Sequence, residues 1–370
     1  MMTSIEKKLR KRAEWALREL RGIRRDETED IFSRRHLIGP DDLLVENYLR
    51  KHPLSAFNPG VALLGDEVLV FPRLIFDYYS YTSSIGVFSL PLEGLISGDL
   101  NPPFETRIIL WPQYGWEAVK GCEDPRVFPT DDGFWVLYTA VGKVQENGRE
   151  RKKFILAFAE LDRDLCVRRK GFFSIAGPEG TLIPGNKDST ILAVEGRRAR
   201  ILTRPSFSGE VPPWLEFILS PLGIELPKAH LPDMCWRAEA DMDELVIHEE
   251  SLEPVLVPEK WEYKVGWSTN AVPLHEGRYL VGWHGVHRED LSYRNGLAEV
   301  DREGNLLAIS NYLLAPKGLL EEYGDRPLTV FGNGLLLVRD HLVWIGGVSD
   351  YAIGIFIAEL DDVLRMLRKV

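Results

Sequence analysis

The sequence predicts an all-β fold made of repeated strand units, with a helix added at each end. From about residue 54 onward, short apolar or alternating runs follow one another, turn residues separate them, and few helical windows intervene. One unit recurs over roughly 300 residues: an apolar run, a Gly/Asp hairpin, a second run that ends in an aromatic or basic residue, and a third run. A sandwich or a barrel is possible, but this recurrence favours a β-propeller, and five or six blades fit the length.

The predicted strands are short and lie at regular spacing along the chain. The clearest examples are Val61 to Leu64, Val68 to Phe71, Ile85 to Leu90, Phe154 to Ala159, Ala199 to Thr203, Arg278 to Trp283 and His341 to Ile345. Turn pairs such as Gly65-Asp66 and Glu195-Gly196 separate the runs, which is typical of hairpin-connected antiparallel strands.

The two ends of the chain have helical patterns. Residues 4–22 place apolar side chains on one stripe and Lys and Arg on the other face. Such a helix can lie on a membrane, but packing on its own domain or on another subunit is the commoner use. We expect a helical extension over residues 1–30, a catalytic domain over residues 31–370, and a short helix within Asp361 to Val370.

Composition excludes several classes of protein. The chain has 45 basic and 56 acidic residues, a net charge of −11, which argues against a general nucleic-acid binder. The three cysteines lack metal-ligand spacing, which predicts reduced thiols: Cys122, Cys166 and Cys235. No apolar leader and no apolar run of transmembrane length is present, so we expect a soluble cytoplasmic protein with no membrane partner.

The stretch Glu123-Asp124-Pro125-Arg126 is the strongest candidate for chemistry. It places two carboxylates and a guanidinium directly before an apolar strand, in what we expect to be a turn. Proline disfavours the helical region for the residue before it, which predicts an extended Asp124. A carboxylate at the edge of a buried sheet is partly desolvated, as general acids often are. An ion-paired turn is the simpler interpretation of this stretch taken alone.

Other polar groups also lie at predicted strand ends. They are Asn58-Pro59-Gly60, Asn186-Lys187-Asp188, Thr203-Arg204-Pro205, and Lys264 with Trp283-His284-Gly285-Val286. A propeller would bring such strand ends to one central mouth, where the cations could hold an oxyanion beside Asp124. Each group alone also has a structural explanation, since Asn-Pro-Gly is a turn signal and a buried His beside Trp is commonly part of a core. No P-loop, dinucleotide fingerprint, metal-binding helix or nucleophile elbow occurs.

In this order, the residues resemble glycoside hydrolase family 130, the β-mannoside phosphorylases and related mannosidases, which are five-bladed β-propellers. The resemblance spans roughly residues 54–360. It is carried by Phe57-Asn58-Pro59-Gly60, Arg73, Glu123-Asp124-Pro125-Arg126, Tyr138-Thr139-Ala140, Asn186-Lys187-Asp188, Arg204-Pro205, Lys264, His284-Gly285-Val286 and Gly346-Gly347-Val348-Ser349-Asp350. The chain departs from the usual family pattern at Thr203, at Trp283, in the ending Trp344 to Asp350 and in the segment between Arg204 and Lys264, so the sugar and its linkage stay open.

The resemblance implies an inverting single displacement in which Asp124 is the general acid. It also implies that inorganic phosphate, as co-substrate, attacks the anomeric carbon, with no metal or organic cofactor. The implied phosphate-binding residues are Lys187, Arg204, Lys264 and His284. The implied sugar-binding residues are Asn58, Arg73, Glu123, Arg126, Asp188 and Asp350.

Physical chemistry separates phosphorolysis from hydrolysis. An inverting hydrolase needs a second carboxylate to activate water, whereas phosphate is already anionic and needs positive groups to hold it. The four cationic positions therefore favour a phosphorylase that acts on a β-mannoside or related β-glycoside. The alternatives are an inverting β-mannosidase that uses a glutamate such as Glu239 or Glu262, and a non-catalytic sugar-binding propeller. A homo-oligomer formed through the N-terminal helix is a further expectation.

Overall fold

The computed structural model describes residues 3–146, 148–207, 231–275 and 277–370, and it is mostly β. The predicted all-β fold class is confirmed at this level. The helices in the described residues are α1 (Ser4–Glu19), α2 (Leu92–Ser97), α3 (Leu319–Glu322) and α4 (Leu360–Met366). Helix α4 is the predicted C-terminal helix. None of these helices is long and apolar enough to cross a membrane.

A nine-stranded sheet contains two similar units. The first strands of the chain are β1 (Ser33–Ile38) and β2 (Leu43–Val45), followed by β3 (Ser55–Leu64), β4 (Glu67–Ile75), β5 (Ser83–Pro91), β6 (Phe104–Leu110), β7 (Gly121–Thr130), β8 (Gly133–Glu146), β9 (Arg149–Asp162) and β10 (Val167–Phe172). Strands β3 to β6 form one antiparallel unit and β7 to β10 form another. One parallel pair, Ser83 with Gly121, joins the two units, and β2 adds to β6.

The middle of the chain forms a seven-stranded sheet. Its strands are β11 (Ser174–Gly177), β12 (Gly180–Leu182), β13 (Gly185–Glu195), β14 (Arg198–Ser206), β15 (Cys235–Asp241), β16 (Val246–His248) and β17 (Glu253–Leu256).

Two smaller sheets complete the fold. The five-stranded sheet contains β18 (Glu262–His275), β19 (Arg278–His287), β20 (Tyr293–Asp301), β21 (Leu306–Ile309) and β25 (Arg368–Lys369). The four-stranded sheet contains β22 (Val330–Val338), β23 (His341–Val348), β24 (Ala352–Glu359) and β1. Because β1 pairs antiparallel with β24, a strand from the N-terminal part of the chain completes the four-stranded sheet formed by the C-terminal strands β22 to β24.

Five strands from the four sheets pack against one another in sequence around the fold. Strand β3 contacts β7, β7 contacts β13, β13 contacts β18, β18 contacts β22, and β22 contacts β3. Each of the five strands has a β-bulge, seen as a shift in pairing register. Bulges redirect side chains locally. The bulged stretches of β3, β7 and β13 contain Asn58, Asp124 and Asp188, whose φ angles are 47°, 52° and 52°. Asn and Asp tolerate this left-handed region better than most residues.

The predicted local geometry around Asp124 is wrong. Glu123 to Arg126 lie within β7 at its bulge rather than in a turn before a strand. Asp124 is not extended, since its φ is 52°. The two-for-one pairing of a bulge requires one residue with an unusual backbone conformation, and this requirement outweighs the preference set by the following proline.

Helix α1 packs on its own domain. Thr3 caps its N-terminus by accepting from the Glu6 amide over 3.1 Å. The buried stripe of the helix joins the largest apolar cluster, which includes residues of β15 and β17, through Ile5, Leu9, Ala13 and Ala16. Just after the helix, the buried Arg24 guanidinium pairs with Glu262 on β18. The predicted amphipathic face is therefore used within the chain.

Candidate active site

A cavity of about 280 Å³ lies where the bulged strands meet. All of the predicted site residues except Arg126 line it. Those residues are Asn58, Arg73, Glu123, Asp124, Lys187, Asp188, Arg204, Lys264, His284 and Asp350. They come from distant parts of the chain, so the ring of contacts between the first strands brings them together.

Asp124 lies between two donors. The Asn58 amide donates to Asp124 Oδ1 over 2.9 Å, and the Arg73 guanidinium donates to the same oxygen over 3.2 Å. Asp124 is 8% exposed, and Gly347 packs so close to Asn58 that a Cβ there would lie 2.0 Å from Asn58 Oδ1. The carboxylate is thus held in one orientation at the edge of the cavity, with Oδ2 free of these two contacts.

Glu123 is paired with cations on both sides. Arg73 donates to Glu123 Oε1 over 3.0 Å, and Lys187 Nζ lies 3.9 Å from Oε2. Burial lowers the pKa of Lys187, and the nearby Glu123 only partly opposes this effect. The Lys187 ammonium also lies 3.8 Å from the centre of the Phe154 ring. Glu123 therefore positions Arg73 and Lys187 around Asp124.

Asp188 contacts several of the basic side chains at the cationic side of the cavity. Its Oδ2 lies 2.9 Å from Arg204 Nε and 3.7 Å from His284 Nε2, and its Oδ1 accepts from Arg126 over 3.3 Å. Burial alone would raise the pKa of Asp188, but Arg204 and Arg126 outweigh it and hold the pKa well below its ordinary value. Asp188 stays ionised and fixes the groups around it.

Arg126 lies behind the cavity wall. It donates to the Asp124 carbonyl over 2.9 Å and to the Ser268 carbonyl over 2.8 Å, besides its contact with Asp188. Its side chain is almost fully buried. Arg126 therefore ties the bulge of β7 to β13 and β18, rather than facing the cavity.

His284 is held as a neutral imidazole. Burial lowers its pKa well below the ordinary value, and Arg204 and Lys264 add to this effect against the pull of Asp188. Its Nδ1 lies 3.0 Å from Ser268 Oγ. A Cβ at Gly266 would lie 2.5 Å from His284 Cε1, so a glycine is needed at this position for the ring to sit beside Asp188. A neutral imidazole can donate one hydrogen bond to an oxyanion.

Seven lining residues were not predicted from the sequence. They are Tyr81, Lys120, Phe154, Tyr293, Arg326, Thr329 and Phe331. Arg326 donates to the Tyr293 hydroxyl over 2.8 Å, and Lys264 Nζ lies 5.4 Å from the centre of the Tyr293 ring. Burial would raise the pKa of Tyr293, but Arg326 and Lys264 lower it to about 8.

Asp350 completes the acidic side of the cavity. Burial raises its pKa, and the neighbouring Asp124 and Glu123 add to the rise, while Arg326 and Arg73 oppose it. The cavity therefore has carboxylates at one side, around Asp124, and cations at the other, around Asp188. This arrangement can donate a proton at one side and hold an anion at the other.

Both glutamates considered as water-activating bases lie outside the cavity lining. Glu262 is fully buried and receives hydrogen bonds from Arg24 and Tyr312. Glu239 pairs with Arg198 and Arg200 on β14. In the described part of the chain, no group of three or more His, Cys, Asp or Glu side chains is arranged to hold a metal ion.

A comparison with protein-family models decides the family. The model of glycoside hydrolase family 130, described as beta-1,4-mannooligosaccharide phosphorylase, matches residues 22–220 and 228–369. The chain belongs to glycoside hydrolase family 130. Its members are enzymes that act on mannosides, and the resemblance noted in the sequence is confirmed. No curated protein sequence matched the chain.

Three solved structures share this fold. The β-1,2-mannobiose phosphorylase from Listeria innocua, in complex with β-1,2-mannobiose, is 19% identical with a TM-score of 0.63, covering 89% of this chain and 96% of that one. A structure from a study of family 130 hydrolases that target β-1,2 mannosidic linkages in Candida mannan is 16% identical with a TM-score of 0.59. The match covers 83% of this chain and 85% of that one. A mannose phosphorylase from Leishmania mexicana, in complex with phosphate, is 12% identical with a TM-score of 0.53. The match covers 98% of this chain and 96% of that one. These likenesses establish the fold.

Proposed function

We propose that this family 130 enzyme is an inverting glycoside phosphorylase, which transfers a β-mannosyl or related β-glycosyl group to inorganic phosphate. Asp124 gives its proton to the glycosidic oxygen as the bond from that oxygen to the anomeric carbon breaks. A phosphate oxygen forms the new bond to the anomeric carbon from the opposite face. The products are a sugar 1-phosphate of inverted configuration and the shortened acceptor.

One observation carries this proposal: four cationic or donor groups line the same cavity as Asp124. They are Lys187, Arg204, Lys264 and His284. The Arg204 Nη1 atom is buried without a hydrogen bond among the described residues, and its acidic neighbour there is Asp233, whose Oδ2 lies 3.5 Å away. A buried N–H group without a hydrogen bond is unfavourable, so an oxyanion bound in the cavity would accept from it. Phosphate offers the charge and the acceptor oxygens that such a cluster prefers.

The carboxylates of the cavity favour phosphorolysis over hydrolysis. Glu123 and Asp188 are each engaged with arginine or lysine, so neither is free to take a proton from water. Asp350 is the third carboxylate beside Asp124 in the cavity lining, and it lies near enough to Asp124 and Glu123 for their charges to raise its pKa. We therefore place Asp350 on the side of the general acid and not on the side of the nucleophile. The two glutamates first considered for that role, Glu239 and Glu262, lie elsewhere. Hydrolysis stays the second candidate, because the structural neighbours include a protein from a study of family 130 hydrolases.

The remaining residues divide into contact and support roles. We assign contacts with the sugar to Asn58, Arg73, Glu123 and Asp350, which line the acidic side of the cavity. Asp188 would orient Arg204 and His284, and Arg126 would orient Asp188 and the bulge of Asp124. No metal or organic cofactor takes part in the proposed step, and phosphate is the co-substrate.

We further propose a five-bladed β-propeller over residues 31–370, with residues 1–30 as an extension. The five bulged strands, in contact one after another and from β22 back to β3, support this architecture. The pairing of β1 with β24 would close the last blade.

A cytoplasmic location and an oligomer formed through α1 also stay proposals. The free cysteines Cys122, Cys166 and Cys235 suit a reducing compartment. Since the buried stripe of α1 packs within the chain, the exposed face that carries Trp15, which is 50% exposed, would make any contact between subunits.

The test is a panel of β-1,2- and β-1,4-linked mannobiose, incubated with and without inorganic phosphate. Nuclear magnetic resonance of the products distinguishes mannose 1-phosphate from free mannose. We expect α-mannose 1-phosphate only when phosphate is present. Free mannose formed equally fast without phosphate would show a hydrolase, and mannoside binding without turnover would show a sugar-binding protein.

A further inference from the structure

We propose that a second pocket binds additional sugar units of a longer manno-oligosaccharide, outside the catalytic cavity. The identity of the sugar rests on the proposed function. This platform pocket has a volume of about 430 Å³, and six of the residues that line it are Asn47, Tyr48, Asp77, Thr82, Ser84 and Trp111. None of the six lines the catalytic cavity.

The platform pocket presents aromatic rings to solvent. Tyr48 is 47% exposed and Trp111 is 46% exposed, and the ring centre of Tyr48 lies 4.7 Å from that of Phe76. Large aromatic side chains that are half-exposed to solvent commonly mark a binding surface for a ligand that has both apolar and polar groups. A pyranose ring has this character, because one face carries C–H groups while its edge carries hydroxyls.

Ser84 supplies an unsatisfied polar group inside this pocket. It is 8% exposed, and its Oγ has no hydrogen-bond partner among the described residues. A buried hydroxyl left in this state is destabilising. A sugar hydroxyl can both donate to it and accept from it, so bound sugar would satisfy Ser84.

The lining of the pocket suits a neutral ligand better than an anion. Its charged member, Asp77, accepts from the backbone amides of Ser80, Tyr81 and Thr82. The side chain of Asn47 is bonded to the backbone of Ile108 through both its oxygen and its nitrogen. Among the described residues that line the pocket, none is Lys, Arg or His, so a neutral sugar fits the pocket better than an anion such as phosphate.

The position of the pocket suits an extended substrate. Residues 81–84 separate it from the catalytic cavity: Tyr81 lines the catalytic side, while Thr82 lines the platform pocket. On β5, Ser83 and Ser84 both line the platform pocket. Ser83 Oγ also accepts from Arg73, a residue of the catalytic cavity, over 2.8 Å. A chain with its terminal sugar beside Asp124 can therefore cross this narrow wall.

The experiment compares kcat/KM for mannohexaose with kcat/KM for mannobiose, in the linkage that the enzyme accepts. In the wild type we expect a ratio well above one. Trp111→Ala should lower this ratio by roughly 3- to 10-fold, because a stacking contact is lost, and Ser84→Ala should lower it in the same direction. The matched control is Trp15→Ala, an equally exposed tryptophan on α1, which should keep the wild-type ratio.

A wild-type ratio of one, or an equal ratio in Trp111→Ala and Trp15→Ala, would overturn the proposal. A complete lack of turnover would instead refute the proposed function. In that event, the binding of mannohexaose is measured by calorimetric titration. Binding that is weakened by Trp111→Ala and not by Trp15→Ala supports the sugar-binding role of the platform pocket. Equal binding by the two variants, or no binding by the wild type, refutes that role. Thermal unfolding of each variant checks that the fold is intact.

Discussion

Arg204 Nε lies 2.9 Å from Asp188 Oδ2, and both side chains are almost fully buried. Asp188 also accepts from Arg126, so this carboxylate contacts two guanidinium groups, and Asp233 Oδ2 lies 3.5 Å from Arg204 Nη1 as a second acidic neighbour. A buried ion pair of this kind contributes little stability when intact, but removing one partner leaves an unbalanced charge. The arrangement positions Arg204 for an anion.

Removing this carboxylate should destabilise the protein. We expect Asp188→Ala to lower the free energy of unfolding by about 3–5 kcal/mol, because Arg126 loses the Asp188 carboxylate and Arg204 keeps Asp233 alone, at 3.5 Å. Urea denaturation followed by circular dichroism measures the change. The control is Asp132→Ala in the exposed turn before β8, for which we expect a change within about 0.5 kcal/mol. Equal stability of the two variants would show that Asp188 does not balance these charges.

Asp124→Asn should abolish proton donation while keeping the shape of the side chain. We expect kcat for a manno-oligosaccharide to fall by roughly 10²- to 10⁴-fold. A nitrophenyl β-mannoside has a leaving group that departs without a proton, so its phosphorolysis should fall by less than about 10-fold. Initial rates with both substrates measure the contrast. Equal losses on the two substrates would mean that Asp124 acts by binding or positioning.

Gly266 should be intolerant of a side chain. A Cβ there would lie 2.5 Å from His284 Cε1 and 2.6 Å from Asp188 Oδ2, so alanine must displace one of the two. We expect Gly266→Ala to cost about 1–3 kcal/mol of stability and to raise KM for phosphate more than KM for the sugar. Gly115→Ala is the matched control, since a Cβ at Gly115 would meet no atom within 4 Å. A wild-type KM for phosphate in Gly266→Ala would contradict the assigned role of His284.

Tyr293 should give the enzyme an alkaline limit. Its pKa is about 8, because Arg326 and Lys264 stabilise the phenolate against the effect of burial. As pH rises through about 8, the folded protein gains a negative charge in the phosphate cluster, so KM for phosphate should rise. The Phe variant, Tyr293→Phe, should lack this rise, and an identical pH profile in both proteins would refute the assignment.

The same shift also predicts a change in stability. Because its pKa is lowered, Tyr293 loses its proton at a lower pH in the folded state than in the unfolded state. In the unfolded state a tyrosine titrates near pH 10. Between about pH 8 and pH 10 the unfolded state therefore binds more protons, so stability relative to Tyr293→Phe should increase with pH. Urea denaturation of both proteins at pH 7, 8 and 9 measures the difference.

The sequence was most informative about strands and strand ends. Apolar runs separated by Gly and Asp turns predicted the β fold, because these residues give direct backbone signals. Asn58, Asp124 and Asp188 were recognised as polar residues at predicted strand ends, but their left-handed backbone within β-bulges was not predicted.

The rest depended on packing between distant elements. Tyr293 and Arg326 stand in ordinary sequence surroundings, and their role is visible only where both reach the cavity beside Lys264. Glu262 was a reasonable candidate base by its neighbours in sequence, but Arg24, 238 residues away, pairs with it in the core. Arg126 was expected to touch sugar, whereas its contacts with Asp188 and the Asp124 carbonyl place it behind the wall. A single sequence carries little information about such long-range pairs.

The source of the oxygen that joins the anomeric carbon tests phosphorolysis most directly. The enzyme is incubated with its mannoside and unlabelled phosphate in water enriched in oxygen-18, and the products are analysed by mass spectrometry at early times. We expect mannose 1-phosphate without the heavy isotope, because the new bond comes from a phosphate oxygen held by the cluster around Arg204. Free mannose that carries oxygen-18 as the main initial product would show that water is the nucleophile and would contradict the proposed function.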